Sequence, residues 1–191
     1  GRSEPIDVPE NAEYVQCDIS SADQIPGLIA TRTDWVGLIH AAGIGGGGLF
    51  ADMSIDVFQT MAKVKVDATQ ALLETMKPFR LHFVLLCSSI SALFGDQRLS
   101  AYAMTNAMMD DLARRWSARG LSITSVQWGA LDIGGGMASD KTFALMRNRG
   151  MGVVTREHVR TTLRRVITTS TPPILIVSPL SENVHRPVQK T

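Results

Sequence analysis

Short apolar runs rich in valine and isoleucine alternate along this chain with longer segments of helical period. That is the pattern of βα units feeding a parallel sheet. The runs at 13–17, 35–40, 82–87, 122–128 and 174–178 read as strands, and helices fit at 21–31, 54–76, 99–119 and 155–169, with a further one at 139–148. Ser54 can cap the second helix with Asp56 in its first turn, and Thr155 precedes Glu157 in the same way. The expectation is an α/β fold, doubly wound around a parallel sheet, over residues 1–180. Residues 181–191, with Pro187 and mixed polar side chains, read as a tail or linker.

A doubly wound dinucleotide fold opens with a strand and a glycine-rich turn that offers backbone amides and a helix N-terminus to a pyrophosphate. The chain has no G-x-G-x-x-G after a strand. In the strand order 3-2-1-4-5-6 the missing first and second strands would lie between the run at 13–17 and the run at 35–40. The chain therefore reads as the C-terminal portion of such a unit, completed by preceding polypeptide, or as an inactive relic. Gly43 to Gly48 is no substitute, because it lacks the lysine and Ser/Thr of a phosphate loop.

Composition narrows the partners. A net charge of +1 with 19 scattered basic residues gives no electrostatic footprint for nucleic acid or an anionic membrane. The most apolar stretch, His82 to Phe94, is shorter than the ~20 residues a spanning helix needs. Cys17 and Cys87 lack metal-ligand spacing and read as buried thiols of a reducing compartment, which favours a cytoplasmic location.

Tyr102 and Asn106 stand four apart and so share a face of the helix at 99–119. Ser89 lies thirteen residues before Tyr102, and Lys65 a further twenty-four back. Singly, each has an ordinary explanation. A tyrosine on an apolar helix is usually core, a serine can simply end a strand, and helical lysines, Lys63 among them, are usually solvated. Lys65 differs in being flanked by Val64 and Val66. Taken together, the four residues and their separations resemble the ketoreductase domains of modular polyketide and fatty-acid synthases. In those domains lysine and asparagine exchange the places they hold in most short-chain dehydrogenases.

Other segments extend the resemblance from about Tyr14 to Val177. His40-Ala41-Ala42-Gly43 is similar to the family's H-A-A-G turn, Lys65-Val66-Asp67-Ala68 to K-V-D-G, and Cys17-Asp18-Ile19 to its C-D-[IV] turn. Trp128-Gly129 looks like the turn beneath the nicotinamide, and Gly134 to Ala138 like the start of a mobile lid. The resemblance implies a Rossmann-like sheet and an NADPH-dependent reduction of a β-ketoacyl thioester on an acyl carrier protein, within a synthase of several domains. Ser89 and Tyr102 would bind the carbonyl oxygen, Tyr102 would give the proton, and Asn106 would help hold Lys65 and a relay water. Lys65 would hold ribose and lower the phenol's pKa from about 10.

The cofactor would rest on Arg2 at the 2′-phosphate and on Asp18 and Ile19 at adenine. Ala41, Ala42 and Gly43 would lie along the ribose and nicotinamide, with Lys65, Tyr102, Trp128 and Gly129. Asp18 could equally be a plain helix cap. Phe94 and Met137 would line the substrate and its lid. Phe94 stands where one stereochemical class carries tryptophan eight residues before the tyrosine, and glycines replace the L-D-D of the other, so the alcohol configuration stays open. Two other readings remain: a free-standing dehydrogenase acting on a small ketone, and a non-catalytic module of a synthase.

Overall fold

The computed structural model describes residues 7–46, 48–95, 98–134, 143–144, 148 and 150–179. Strands β1 (Gly37–His40), β2 (Phe83–Ser89) and β3 (Ile123–Trp128) pair in parallel. After a two-residue parallel ladder of β4 (Leu131–Asp132) and β5 (Val154–Thr155), strand β6 (Ile174–Val177) returns beside β3. The main sheet has the order β1-β2-β3-β6. Such a sheet is covered on both faces, so its central strand reads as an unbroken apolar run rather than an alternating one. Val84, Leu85 and Leu86 are accordingly inaccessible to solvent.

The helices are α1 (Ile25–Ile29), α2 (Ile55–Ala62), α3 (Ala68–Thr75), α4 (Ser91–Phe94), α5 (Ser100–Ser117) and α6 (Arg156–Thr168). On one face of the sheet Val84, Leu86 and Ile123 pack with Leu73 of α3 and Met109, Ala113 and Trp116 of α5. On the other, Leu85, Val126 and Trp128 pack with Val154 and with Val166 of α6. Fully burying one such side chain contributes roughly 1.5–3 kcal/mol.

The expected caps form. Ser54 Oγ accepts from the Val57 amide at 3.3 Å, and Thr155 makes a capping box whose third residue is His158.

Three expectations need correction. The run at 13–17 is not one of the strands of the described sheet, whose order begins at β1. The helix expected at 21–31 is shorter and begins as a 3₁₀ turn at Ala22–Gln24, with Pro26 in the first turn of α1. The helix expected at 54–76 is interrupted by a π-helical turn, Lys63–Asp67, between α2 and α3. Arg2, Met137, most of the helix expected at 139–148 and the segment 181–191 lie outside the described residues.

Candidate active site

The carboxyl ends of β1, β2 and β3 carry His40, Ser89 and Trp128, the edge at which open parallel sheets bind ligands. Over this edge runs the π turn that holds Lys65. Single π turns set into α-helices are frequent at functional sites because they re-aim a side chain. Here two bonds fix the turn. His40 Nε2 donates to the Val64 carbonyl at 3.2 Å, and the Thr69 hydroxyl donates to the carbonyl of Lys65 itself. The Lys65 side chain is thereby directed inward and is 4% exposed, whereas Lys63 is on the surface.

Lys65 Nζ donates to the Cys87 carbonyl of β2 at 2.8 Å and lies 5.7 Å from the centroid of the Tyr102 ring. Gly43 makes room for it. A Cβ there would come within 3.1 Å of Lys65 Cε.

Burial sets the electrostatics. It pulls the Lys65 ammonium down from 10.5 to about 8, against the raising influence of Cys87 and Asp110. It also presses His40 down to about 4, helped by the Lys65 charge, so the imidazole is neutral at neutral pH with its proton on Nε2. The unfolded chain therefore takes up a proton between pH 6.5 and 4 that the folded chain refuses. Stability should fall by about 3 kcal/mol as pH drops through that window. His40→Gln should lack this loss, which urea titrations of the full-length protein at pH 4 and 7 would measure.

Tyr102 departs from expectation. Its pKa is raised, because burial outweighs the hydrogen bonding of Ser89 and Asn106 that pulls it down. The phenol is thus held protonated in the resting site.

Tyr102, Asn106 and Asp110 follow one another at four-residue spacing along the inner face of α5. Asn106 is inaccessible. Its Nδ2 donates to the Tyr102 carbonyl at 2.8 Å, and its Oδ1 has no hydrogen-bond partner. Ser89 Oγ accepts from the Ser91 amide at 3.2 Å and the Ser91 hydroxyl at 3.0 Å, and Ser89 also bears on the Tyr102 phenol. Asp110, 2% exposed, accepts from the Ser125 hydroxyl and from Gln127 Nε2, the latter at 2.6 Å. The site thus holds an ammonium, a protonated phenol, a serine hydroxyl and an open amide oxygen. That set can hydrogen-bond a carbonyl oxygen and hand it a proton.

The other expected residues divide. Asp18 Oδ1 accepts from the amide and hydroxyl of Ser20 at 3.0 and 2.8 Å, a local turn ahead of the 3₁₀ turn, whose N-cap position is Ser21 and has no side-chain cap bond. Ile19 packs on the cluster of Ile25, Ala68 and Leu72. Ala41 is exposed and Ala42 half-buried on the turn after β1. Trp128 is buried under α6, and a Cβ on Gly129 would come 2.9 Å from Ser178 Oγ, so close packing also requires glycine there. Phe94 ends α4 with 65% of its surface exposed. His40 and Asp110 carried no individual role in the sequence. Their signals were a histidine closing a strand and an acid one turn beyond Asn106.

The chain matches the KR domain family over residues 7–132. It belongs to that family. Its relatives include the phenolphthiocerol synthesis polyketide synthase type I Pks15/1 of Mycobacterium marinum, 31% identical over 77% of this chain and 7% of that protein. Among solved structures it is similar to the first ketoreductase of the tylosin PKS, 27% identical with a TM-score of 0.77, over 86% of this chain and 36% of that one. An A-type ketoreductase from a modular polyketide synthase shares the fold at a TM-score of 0.80 and 22% identity, over 87% and 36% of the two chains. This KR domain chain thus spans under a tenth of that curated relative and little more than a third of those two structures. No helix among its described residues is long and apolar enough to cross a membrane.

Proposed function

We propose that this KR domain chain is the catalytic segment of a cytoplasmic, NADPH-dependent ketoreductase within a polyketide synthase. It reduces a β-ketoacyl thioester on an acyl carrier protein to the β-hydroxyacyl thioester. The observation that carries the reading is the buried Lys65 ammonium against the Tyr102 ring, with Ser89 and Asn106 beside that tyrosine. Preceding polypeptide is proposed to complete the sheet at the open edge of β1 and to supply the pyrophosphate turn.

Ser89 Oγ and the Tyr102 hydroxyl donate hydrogen bonds to the substrate carbonyl oxygen. As the carbonyl carbon is reduced, the Tyr102 O–H bond breaks and the new alcohol O–H bond forms. Burial keeps the phenol protonated until that moment, and the Lys65 charge then stabilises the phenolate left behind. The open Oδ1 of Asn106 accepts from Lys65 or from a water that returns the proton.

NADPH, when bound, supplies the hydride. The residues at the sheet's carboxyl edge fit its nicotinamide end by their chemistry: Gly43 gives Lys65 room beside the Tyr102 ring, and the Lys65 ammonium would donate to a ribose hydroxyl. Ala41, Ala42, Tyr102 and Trp128 complete that end, and Asp18, Ile19 and Arg2 are assigned to adenosine and its 2′-phosphate. Phe94 and Met137 border the acyl chain.

Following NADPH absorbance in the full-length protein with a β-keto thioester tests the reading. Consumption with the thioester and little with a simple ketone is expected. No consumption with either would sink it.

A further inference from the structure

Lys65 and Asp110 are the two lysine, arginine or acidic side chains buried among the described residues, at 4% and 2% exposure. A buried charge is costly unless compensated. Neither forms an ion pair there, and both lie on the same face of the sheet, Asp110 one helical turn beyond Asn106.

The layer they share is polar. Ser88 is level with Gln127 across β2 and β3, and Ser88 Oγ, Asn106 Oδ1 and Gln127 Oε1 are all buried without a partner. The Asp110 carboxylate is fixed within this layer by Ser125 and Gln127, with one oxygen taken by each. Hydrogen bonds from these two neutral groups satisfy the oxygens but supply no counter-charge. A neutral side chain could fill the same space without the desolvation cost.

We propose that Asp110 is a positioning residue whose buried carboxylate is the counter-charge that keeps Lys65 an ammonium at the active site. It acts through the field across the Asn106 layer rather than by contact. The proposal rests on the ketoreductase reading only for the use to which the Lys65 charge is put.

The direction of the field agrees, since Asp110 favours the charged form of Lys65. Among the described residues, the titratable groups bearing on Lys65 are His40 from β1, Cys87 from β2, and Tyr102 and Asp110 from α5; the β3 partners of Asp110, Ser125 and Gln127, are neutral. His40 titrates near 4, and burial raises both Cys87 and Tyr102, so a transition near pH 8 belongs to Lys65.

The test is a pH series of unfolding free energies on the full-length protein. The Lys65-dependent part is the difference between each protein and the same protein carrying Lys65→Met. With Asp110 present it should begin to rise near pH 8. With Asp110→Asn the onset should move down by about one unit, a tenfold loss of proton affinity, and Asp110→Glu should restore it.

An unchanged onset overturns the proposal. If Asp110→Asn alone does not fold, the double variant with Lys65→Met should, because no charge is then stranded. Failure of both, with Lys65→Met folding normally, would make Asp110 a plain packing residue and overturn it too. The alkaline limb of turnover should move with the stability onset. A protein that shows the stability shift but no NADPH turnover would refute the ketoreductase reading while leaving the charge pair intact.

Discussion

Tyr102→Phe should lower turnover with a β-keto thioester by about 10³-fold, within the ~10²–10⁴ that a positioned general acid contributes, and change the stability of the fold little. The substitution removes one hydroxyl and keeps the ring against Lys65 Nζ. Because burial holds the phenol protonated in the wild type, the loss should persist across neutral pH rather than vanish at either end. Michaelis constants should stay within a few fold, since the ring still shapes the site. A variant that retains full rate would remove Tyr102 from the chemistry while leaving the family assignment untouched.

Lys65→Met should have two effects that separate function from folding. Turnover should fall by about 10²-fold or more, because the phenolate left by proton transfer loses its cation. Stability should move the other way. The folded-state pKa of Lys65 is depressed from 10.5 to about 8, so between those values the unfolded chain binds the proton that the folded chain releases. Stability attributable to Lys65 therefore rises with pH through that window, by about 3 kcal/mol in all, and below pH 8 the whole penalty is present. The methionine variant should lack the rise and should be the more stable protein at pH 7. Cys87 and Tyr102, both raised, contribute the opposite slope at higher pH, which the difference between the two proteins removes. A variant less stable than wild type at pH 7 would mean that the ammonium is structural.

What could be read beforehand follows the range of the forces. The runs at 82–87 and 122–128 are strands within a residue or two, because apolar stretches of that length bounded by polar turns have few alternatives. α5 and α6 likewise follow from helical period and, for α6, a capping threonine. The π turn could not be read. Lys63-Val64-Lys65-Val66-Asp67 is ordinary helix by composition, and the bond that marks it comes from His40, twenty-four residues before Val64 in sequence. The run at 13–17 failed for a related reason. Its alternation is strand-like, but pairing is set by long-range neighbours rather than by local pattern, and the described sheet does not include it.

The closeness of Lys65 to Tyr102 was legible because their spacing is long and specific. The protonation of Tyr102 was not, since burial is a property of the packed molecule and outweighs the hydrogen bonds to the phenol. An acid beside Asp111 on a helix has the pattern of a solvated face, so Asp110 does not stand out in the sequence. Only the sheet beneath it, with Ser125 and Gln127, shows otherwise.

The most direct measurement uses the full-length protein, a carrier-bound β-ketoacyl chain and NADPH deuterated at its transferable position, followed by mass analysis of the carrier. The account predicts a β-hydroxyacyl product bearing one deuterium, and none from Tyr102→Phe over the same time. A wild-type carrier still loaded with unreduced β-ketoacyl chain would contradict it.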